Sequence, residues 1–166
     1  MFMKEVGFLE TIIIVVIVTC TAFLSTGAEA VLENFGLISW LIIAVFCVIA
    51  LIQGNKHTKE HQIAPELSYS CAFISQLTYA FLVILAARDL TLVASEGILG
   101  LFGIIFLAPI TGIGLAVCKA PNIIACEDPN VIVLDAIATP ILSLLMCWIF
   151  KYFDSVEPVL QCMFGI

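Results

Sequence analysis

The sequence predicts an all-α fold: a single domain over residues 1–166, built as a bundle of about five helices that cross a membrane. Of its 166 residues, 63% are hydrophobic and 11% are charged, against roughly 45–50% and about 25% in soluble domains. The apolar residues lie in runs long enough to cross a hydrocarbon core of about 30 Å as helices. Runs such as Leu41 to Leu51 are apolar at every position, which excludes membrane strands that alternate apolar and polar residues.

The first predicted helix covers residues 8–26, an apolar run that ends at Gly27. A cleavable signal is an alternative for the same stretch, because Lys4 precedes the run and Ala28-Glu29-Ala30 has the A-x-A form of a signal-peptidase site. We favour a helix that the chain retains. Whether residues 1–30 act as a cleavable signal stays open.

The second predicted helix covers residues 35–53. It is expected to end at Gly54-Asn55, because these residue types end helices in the left-handed conformation. The interval from Asn55 to Glu66 is the most polar stretch of the chain. We therefore predict a loop in water after the second helix.

The third and fourth predicted helices cover residues 67–87 and 92–117. The third is expected to end at Arg88-Asp89, because a charge pair facing hydrocarbon is costly. The fourth is longer than a hydrocarbon core of about 30 Å requires, so it is expected to tilt or to bend at Pro109.

A loop with two prolines is predicted from Lys119 to Asn130, followed by a fifth helix over residues 131–153. The tail, residues 154–166, is too short to cross the membrane and is expected to lie at the interface or to pack back on the bundle. Positive residues are more frequent on the cytoplasmic side. Five helices place more of them on the N-terminal side, which predicts that the N-terminus is inside: Lys4, Lys56, Lys59 and Lys119 against Arg88 and Lys151.

Polar side chains within the apolar runs are the candidates for function, because a buried carboxylate is costly in a membrane. Asp135, Thr139 and Ser143 stand four residues apart and form one stripe along the fifth helix. In the third helix, Gln76 lies near the expected bilayer centre and must point into the bundle. Such residues either line a pathway or join helices through hydrogen bonds. The candidates are Asp135, Thr139, Ser143, Gln76, Ser75 and Glu96.

Small residues on the fourth helix predict a close contact with another helix. Ala108, Gly112 and Ala116 repeat the small-xxx-small spacing, which lets membrane helices approach closely. The partner lies either in this chain or in a neighbouring one. The whole predicted packing face consists of Gly97, Gly100, Ala108, Gly112 and Ala116.

The segment His57-Thr58-Lys59-Glu60-His61 fits H-x-x-E-H, the zinc motif of the inverzincin metalloproteases. That motif needs a helix that carries both His57 and His61 on one face, whereas we predict a loop here. We therefore predict no metal site and no cofactor. A pH-sensing or adventitious metal site at the two histidines is a looser alternative.

Composition and motifs narrow the function classes. The net charge of −7 and the lack of a basic cluster exclude a nucleic-acid partner. No nucleophile and base lie at matched depth, so we do not expect an enzyme.

The favoured function is a non-enzymatic subunit or structural component of an oligomeric membrane assembly. Its partners are the lipid bilayer and either other membrane-protein subunits or further copies of this chain. The alternative is a small oligomeric channel or transporter for an ion or small solute. Small size and short loops favour a bacterial inner membrane.

Overall fold

The structure, a computed structural model, describes residues 28–165, with the backbone alone at 28–30 and 101. The first predicted helix, residues 8–26, lies outside the described residues. The described part is helical and contains no strand. Its helices are α1 (Ala28–Glu33), α2 (Phe35–His61), α3 (Pro65–Ser95), α4 (Ile98–Ala125), α5 (Ile132–Ile149) and α6 (Val156–Phe164), with 3₁₀ turns at Pro129–Val131 and Tyr152–Ser155.

The helices α2 to α5, the last with its preceding 3₁₀ turn, are four helices long and apolar enough to cross a membrane by length and composition. Their outer faces carry large exposed apolar side chains, among them Leu41, Ile113 and Trp148. Exposing such large apolar faces to water would be unfavourable, whereas the lipid tails of a membrane are themselves apolar. The predicted all-α membrane bundle is confirmed, and the chain is an integral membrane protein.

Helix α3 is the centre of the bundle and packs against α2, α4 and α5. In its most apolar stretch 67% of the residues are buried, against 28–33% in the other three long helices. The hydrophobic core forms around α3 and includes Phe46, Tyr79, Leu82, Leu85, Leu115 and Val159. The short helix α6 packs against the beginning of α2, as the backbone contact between Gly36 and Cys162 shows. The tail thus packs back on the bundle, which is one of the two predicted placements.

The predicted end of the second helix is wrong, because α2 continues through Gly54 to His61. The backbone of Gly54 lies against the Tyr69 ring, and its carbonyl oxygen accepts a hydrogen bond from Ser68 Oγ at 2.7 Å. Here glycine allows the close approach of α3 and does not end the helix. The left-handed residue that ends α2 is Gln62, with φ of 55°. The predicted loop over residues 55–66 is reduced to residues 62–64.

The charge pair Arg88-Asp89 does not end the third helix, which continues to Ser95. Arg88 Nη1 donates a hydrogen bond to Ser155 Oγ at 3.0 Å, and Ser155 Oγ donates one to Asp89 Oδ1. The pair is half-buried, and its hydrogen bonds with Ser155 offset part of the cost of placing two charged groups within the helix bundle.

The last two long helices also differ from the predicted bounds. Helix α4 begins later, at Ile98, and continues to Ala125 through most of the predicted loop, with Pro109 and Pro121 inside it. Helix α5 ends at Ile149, earlier than predicted, and the chain then turns at Lys151, which has φ of 57°.

Candidate functional site

A buried cluster of polar side chains lies among the four long helices α2 to α5. None of its members is more than 3% exposed. It joins residues that are up to 86 positions apart in the sequence, from Gln53 to Thr139. We call this cluster the polar core, and it consists of Gln53 from α2, Ser75 and Gln76 from α3, Lys119 and Asn122 from α4, and Asp135 and Thr139 from α5.

Three amide side chains form one half of the polar core. Gln76 Nε2 donates hydrogen bonds to Gln53 Oε1 at 2.6 Å and to Asn122 Oδ1 at 3.0 Å. Asn122 Nδ2 lies 3.1 Å from Gln53 Oε1. These bonds join α2, α3 and α4. They offset the free-energy cost of removing three amide groups from water.

The carboxylate of Asp135 forms the other half. Its Oδ1 accepts hydrogen bonds from Thr139 Oγ1 at 2.7 Å and from Ser75 Oγ at 3.0 Å. Its Oδ2 accepts one from Asn122 Nδ2 at 3.0 Å. Three donors from three helices therefore surround a carboxyl group that is 1% exposed.

Lys119 supplies a positive charge to the same cluster, contrary to the prediction that it lies in a loop. Its Nζ donates a hydrogen bond to Gln76 Oε1 at 2.7 Å. The same atom lies 4.8 Å from the ring centroid of Tyr79 and 5.3 Å from that of Phe46. The amide oxygen and the two ring faces stabilise an ammonium that is 3% exposed.

The ammonium and the carboxylate belong to one hydrogen-bond network. Lys119 bonds to Gln76, Gln76 bonds to Asn122, and Asn122 bonds to Asp135. A continuous line of polar atoms thus runs from a buried base to a buried acid. The two ionisable ends of this line can take up or release a proton, whereas the amides between them can bind a solute that offers both donors and acceptors.

The polar core lies toward the end of the bundle at which α2 ends. Asn122 is in the last turn of α4 and Asp135 is in the first turn of α5. Gln76 is eleven residues from the start of α3, which at 1.5 Å per residue is roughly 16 Å, or about half of a hydrocarbon core. The polar core therefore extends from near one end of the bundle toward its middle.

Beside the polar core, some buried polar atoms have no hydrogen-bond partner in the part of the chain that the structure describes. They are Gln53 Nε2, both ring nitrogens of His57 and Nε2 of His61. The three residues stand four apart on α2 and so share one helix face. Because buried polar groups nearly always have partners, this face marks a position where a polar ligand fits.

The sequence-predicted polar residues have three different placements. The structure brings Asp135, Thr139, Ser75 and Gln76 together in the polar core. Ser143 is buried on the same face of α5, one turn beyond Thr139. Glu96 is exposed at the end of α3 and lies outside the polar core.

The predicted small-residue face of α4 is not one packed surface. Gly100 is buried and its backbone lies against the carbonyl oxygen of Val93. Gly97 is exposed, has φ of 74° and precedes α4. A Cβ added to Gly112 meets no described atom within 4 Å, and Ala108 and Ala116 are half-buried. Within the described part of the chain, a close helix contact at Gly112 is therefore excluded.

Sequence reasoning missed three members of the polar core. The sequence pattern predicts a helix end at Gln53 and a loop at Lys119 and Asn122, whereas all three lie within helices. Lys119 and Asn122 stand three residues apart, a spacing that places them on one face once the segment is helical. That spacing is the signal that could have found them, but the polar and proline-containing surroundings pointed to a loop.

A second polar cluster lies near the other end of the bundle. The hydroxyl groups of Thr111 and Tyr152 are 3.1 Å apart. Burial raises the pKa of the Tyr152 hydroxyl above its ordinary value, so the group stays protonated at neutral pH and can donate. A cavity of about 310 Å³ opens beside this pair and is lined by Asp89, Val93 and Phe150 among others.

Comparison with protein-family models finds none that matches the sequence. The curated proteins and the solved structures give no significant match either. The function must therefore be inferred from the geometry of the polar core itself.

Proposed function

We propose that this protein is a small transporter or channel that carries protons or a small polar solute through the interior of its helix bundle, with the polar core as the binding site. The observation that carries the proposal is the hydrogen-bonded line from Lys119 to Asp135. Ionisable groups inside membrane bundles mark substrate and proton pathways, because their burial is otherwise unfavourable.

A purely structural polar contact needs no charge. Amides such as Gln53, Gln76 and Asn122 join helices by themselves, and adding a buried ammonium and carboxylate brings a desolvation cost that their attraction often fails to offset. The unpartnered Nε2 of Gln53 lies beside the bonded cluster. This group is available to bind a solute, whereas groups that only join helices are already paired.

The path that we propose continues along two helix faces. From Thr139 it reaches Ser143, one turn further along α5. On α4, Thr111 lies two turns before Lys119 and bonds to Tyr152 near the opposite end of the bundle. On the other side of the polar core, Gln53 and His57 lead toward the end of α2.

Flux through the purified full-length protein in liposomes tests the proposal. Vesicles with an imposed pH gradient and an internal pH dye are expected to dissipate the gradient faster with the protein than without it. Asp135→Asn keeps the shape but removes the charge, so proton flux is expected to fall at least tenfold. Glu96→Gln is the matched control, because the same change at an exposed position leaves the path intact.

Flux no faster than in protein-free vesicles, for protons and for small polar solutes alike, would overturn the proposal. A second result also contradicts it: Asp135→Asn transports like the wild type, whereas Asp135→Leu unfolds. That pair of outcomes assigns the polar core to helix packing alone.

A second candidate function, a non-enzymatic subunit of a membrane assembly, is favoured by the α4 surface around Gly112. This surface is open within the described chain, and Ile105, Ile113 and Val117 on the same helix are exposed. Other membrane subunits or further copies of this chain are the partners that we propose for it. Mass determination and identification of co-purifying chains in mild detergent test it, and a monomer without partners would contradict it.

We propose the inner membrane of a bacterium as the location, with the end of α2 on the cytoplasmic side. Lys56 and Lys59 lie at that end, and small size and short connections suit such a membrane. Lys119 is buried, so it does not count among the positive residues that flank the helices on the cytoplasmic side.

A further inference from the structure

We propose that His57 and His61 form a binding site for a divalent transition-metal ion, represented by Zn²⁺. The two residues lie in the last turns of α2, and a spacing of four places them on the same helix face. The expectation of a loop, which argued against a metal, therefore does not apply. The helix provides the arrangement from which two histidines hold one ion.

The distance between the rings fits a shared ion. Their centroids are 6.0 Å apart, with an angle of 45° between the ring planes. A zinc–nitrogen bond of about 2.0–2.1 Å places the centroid of each ring about 3 Å from the metal, so two rings on one ion lie about 5–6 Å apart. A small rotation of either side chain is sufficient.

The imidazole nitrogens are available as ligands. His57 is 0% exposed, and neither of its ring nitrogens has a hydrogen-bond partner among the described residues. The same holds for the buried Nε2 of His61. Leaving a buried imidazole without a partner is unfavourable, and neutral imidazole is a preferred ligand of Zn²⁺, Cu²⁺ and Ni²⁺.

Glu60 does not complete a protease-like site. It is exposed, and its carboxylate lies 3.7 Å from Lys56 Nζ. Within residues 28–165, no group of three or more His, Cys, Asp or Glu side chains that could hold a metal ion occurs. Water must therefore supply the remaining ligands, as it supplies the fourth ligand in zinc sites that are not closed by four protein side chains.

Metal titration of the full-length protein tests the site. The chain has two histidines in all, so a protein without a histidine tag holds no other imidazole, and zinc that is bound by cysteine thiols is recognised because it remains in the histidine variants. After treatment with a chelator, Zn²⁺ is titrated by calorimetry in detergent at about pH 7.5, where imidazole is neutral. We expect one ion per chain, and we expect His57→Ala and His61→Ala each to weaken binding at least tenfold.

The control and the second variant separate ligation from folding. Glu60→Gln is expected to bind Zn²⁺ like the wild type, because its carboxylate points to Lys56. His61 is half-buried, so His61→Ala is expected to keep the elution volume and the unfolding temperature of the wild type even where His57→Ala does not. Wild-type binding that is absent, or that survives unchanged in a folded His61→Ala protein, would overturn the proposal.

Discussion

Asn122 Nδ2 donates a hydrogen bond to Asp135 Oδ2 at 3.0 Å and joins the last turn of α4 to the first turn of α5. The same amide group lies within 3.1 Å of Ser75 Oγ and of Gln53 Oε1. Its oxygen accepts from Gln76. Asn122 is therefore the residue through which all four long helices share the polar core.

Replacing Asn122 by Leu is expected to destabilise the protein. The side chain keeps its approximate volume, but Asp135 and Gln76 each lose a partner in a buried environment, at a cost of about 1–3 kcal/mol for each unsatisfied group. Thermal or denaturant unfolding in micelles measures the change.

Thr78→Ala is the control for Asn122→Leu. The hydroxyl of Thr78 bonds to the carbonyl oxygen of Ile74 in its own helix at 2.7 Å. Its loss is expected to change the free energy of unfolding by less than about 0.5 kcal/mol. Equal effects of the two variants would contradict the central place of Asn122.

Lys119→Met is expected to separate stability from transport. Methionine keeps a long unbranched side chain against Tyr79 and Phe46 but carries no charge. The variant loses the bond to Gln76 and avoids the cost of burying an ammonium, so we expect the free energy of unfolding to change by less than about 1 kcal/mol. We expect proton flux in liposomes to fall at least tenfold.

Lower stability with unchanged flux in Lys119→Met would contradict a role of Lys119 in transport. A protein that unfolds more easily by about 3 kcal/mol while flux per folded molecule is unchanged shows that Lys119 serves the fold. Lys151→Met is the matched control, since Lys151 is exposed after the end of α5. It is expected to change neither quantity.

The class of fold and the inward face of α5 could be predicted because both depend on local patterns. Composition alone indicates a membrane helix, and the spacing of Asp135 and Thr139 defines a face wherever that helix packs. Where the helices end depends on distant residues. Gly54 is helical because Tyr69 and Ser68 of the next helix contact it, and no local rule contains that contact.

Lys119 illustrates the same limit for the site. Its charge is accommodated by Gln76, which lies 43 positions earlier in the sequence, and by two aromatic rings from two helices. Without these partners, a lysine next to a proline and an acidic pair is most simply a loop residue. The polar core could therefore be predicted only in part, on the side of α3 and α5.

If α2 crosses the membrane as its length and composition indicate, Asn55 and Cys162 are expected to be labelled from opposite sides. Asn55 is exposed near the end of α2, whereas Cys162 is exposed and lies beside Gly36 near its beginning. In an Asn55→Cys variant whose Cys20 and Cys47 are replaced by Ser, a maleimide that cannot cross membranes is expected to label the two positions from opposite sides. We expect Asn55→Cys to react from the cytoplasmic side.

Cys126 provides an internal control for that labelling, since burial raises the pKa of its thiol. A smaller thiolate fraction makes it react slowly, so it is expected to stay unlabelled until the protein is denatured. Mass spectrometry of the intact chain counts the labels. If Asn55→Cys and Cys162 are both labelled from the same side of the membrane, α2 does not cross it.

Two glycines of α4 are expected to respond differently to substitution. A Cβ at Gly100 meets the carbonyl oxygen of Val93, whereas a Cβ at Gly112 meets no described atom within 4 Å. Because a backbone oxygen cannot move aside as a side chain does, Gly100→Ala is expected to lower the free energy of unfolding by about 1–3 kcal/mol. Gly112→Ala is expected to leave the fold unchanged and, because alanine is the better helix former, to raise the free energy of unfolding slightly.

Gly112→Leu tests whether the open face of α4 contacts another chain. A folded Gly112→Leu protein that no longer co-purifies with its partners places the assembly contact at this face. Phe106→Leu is the control and is expected to leave assembly intact. If Gly112→Leu assembles like the wild type, the small-residue face of α4 contacts lipid.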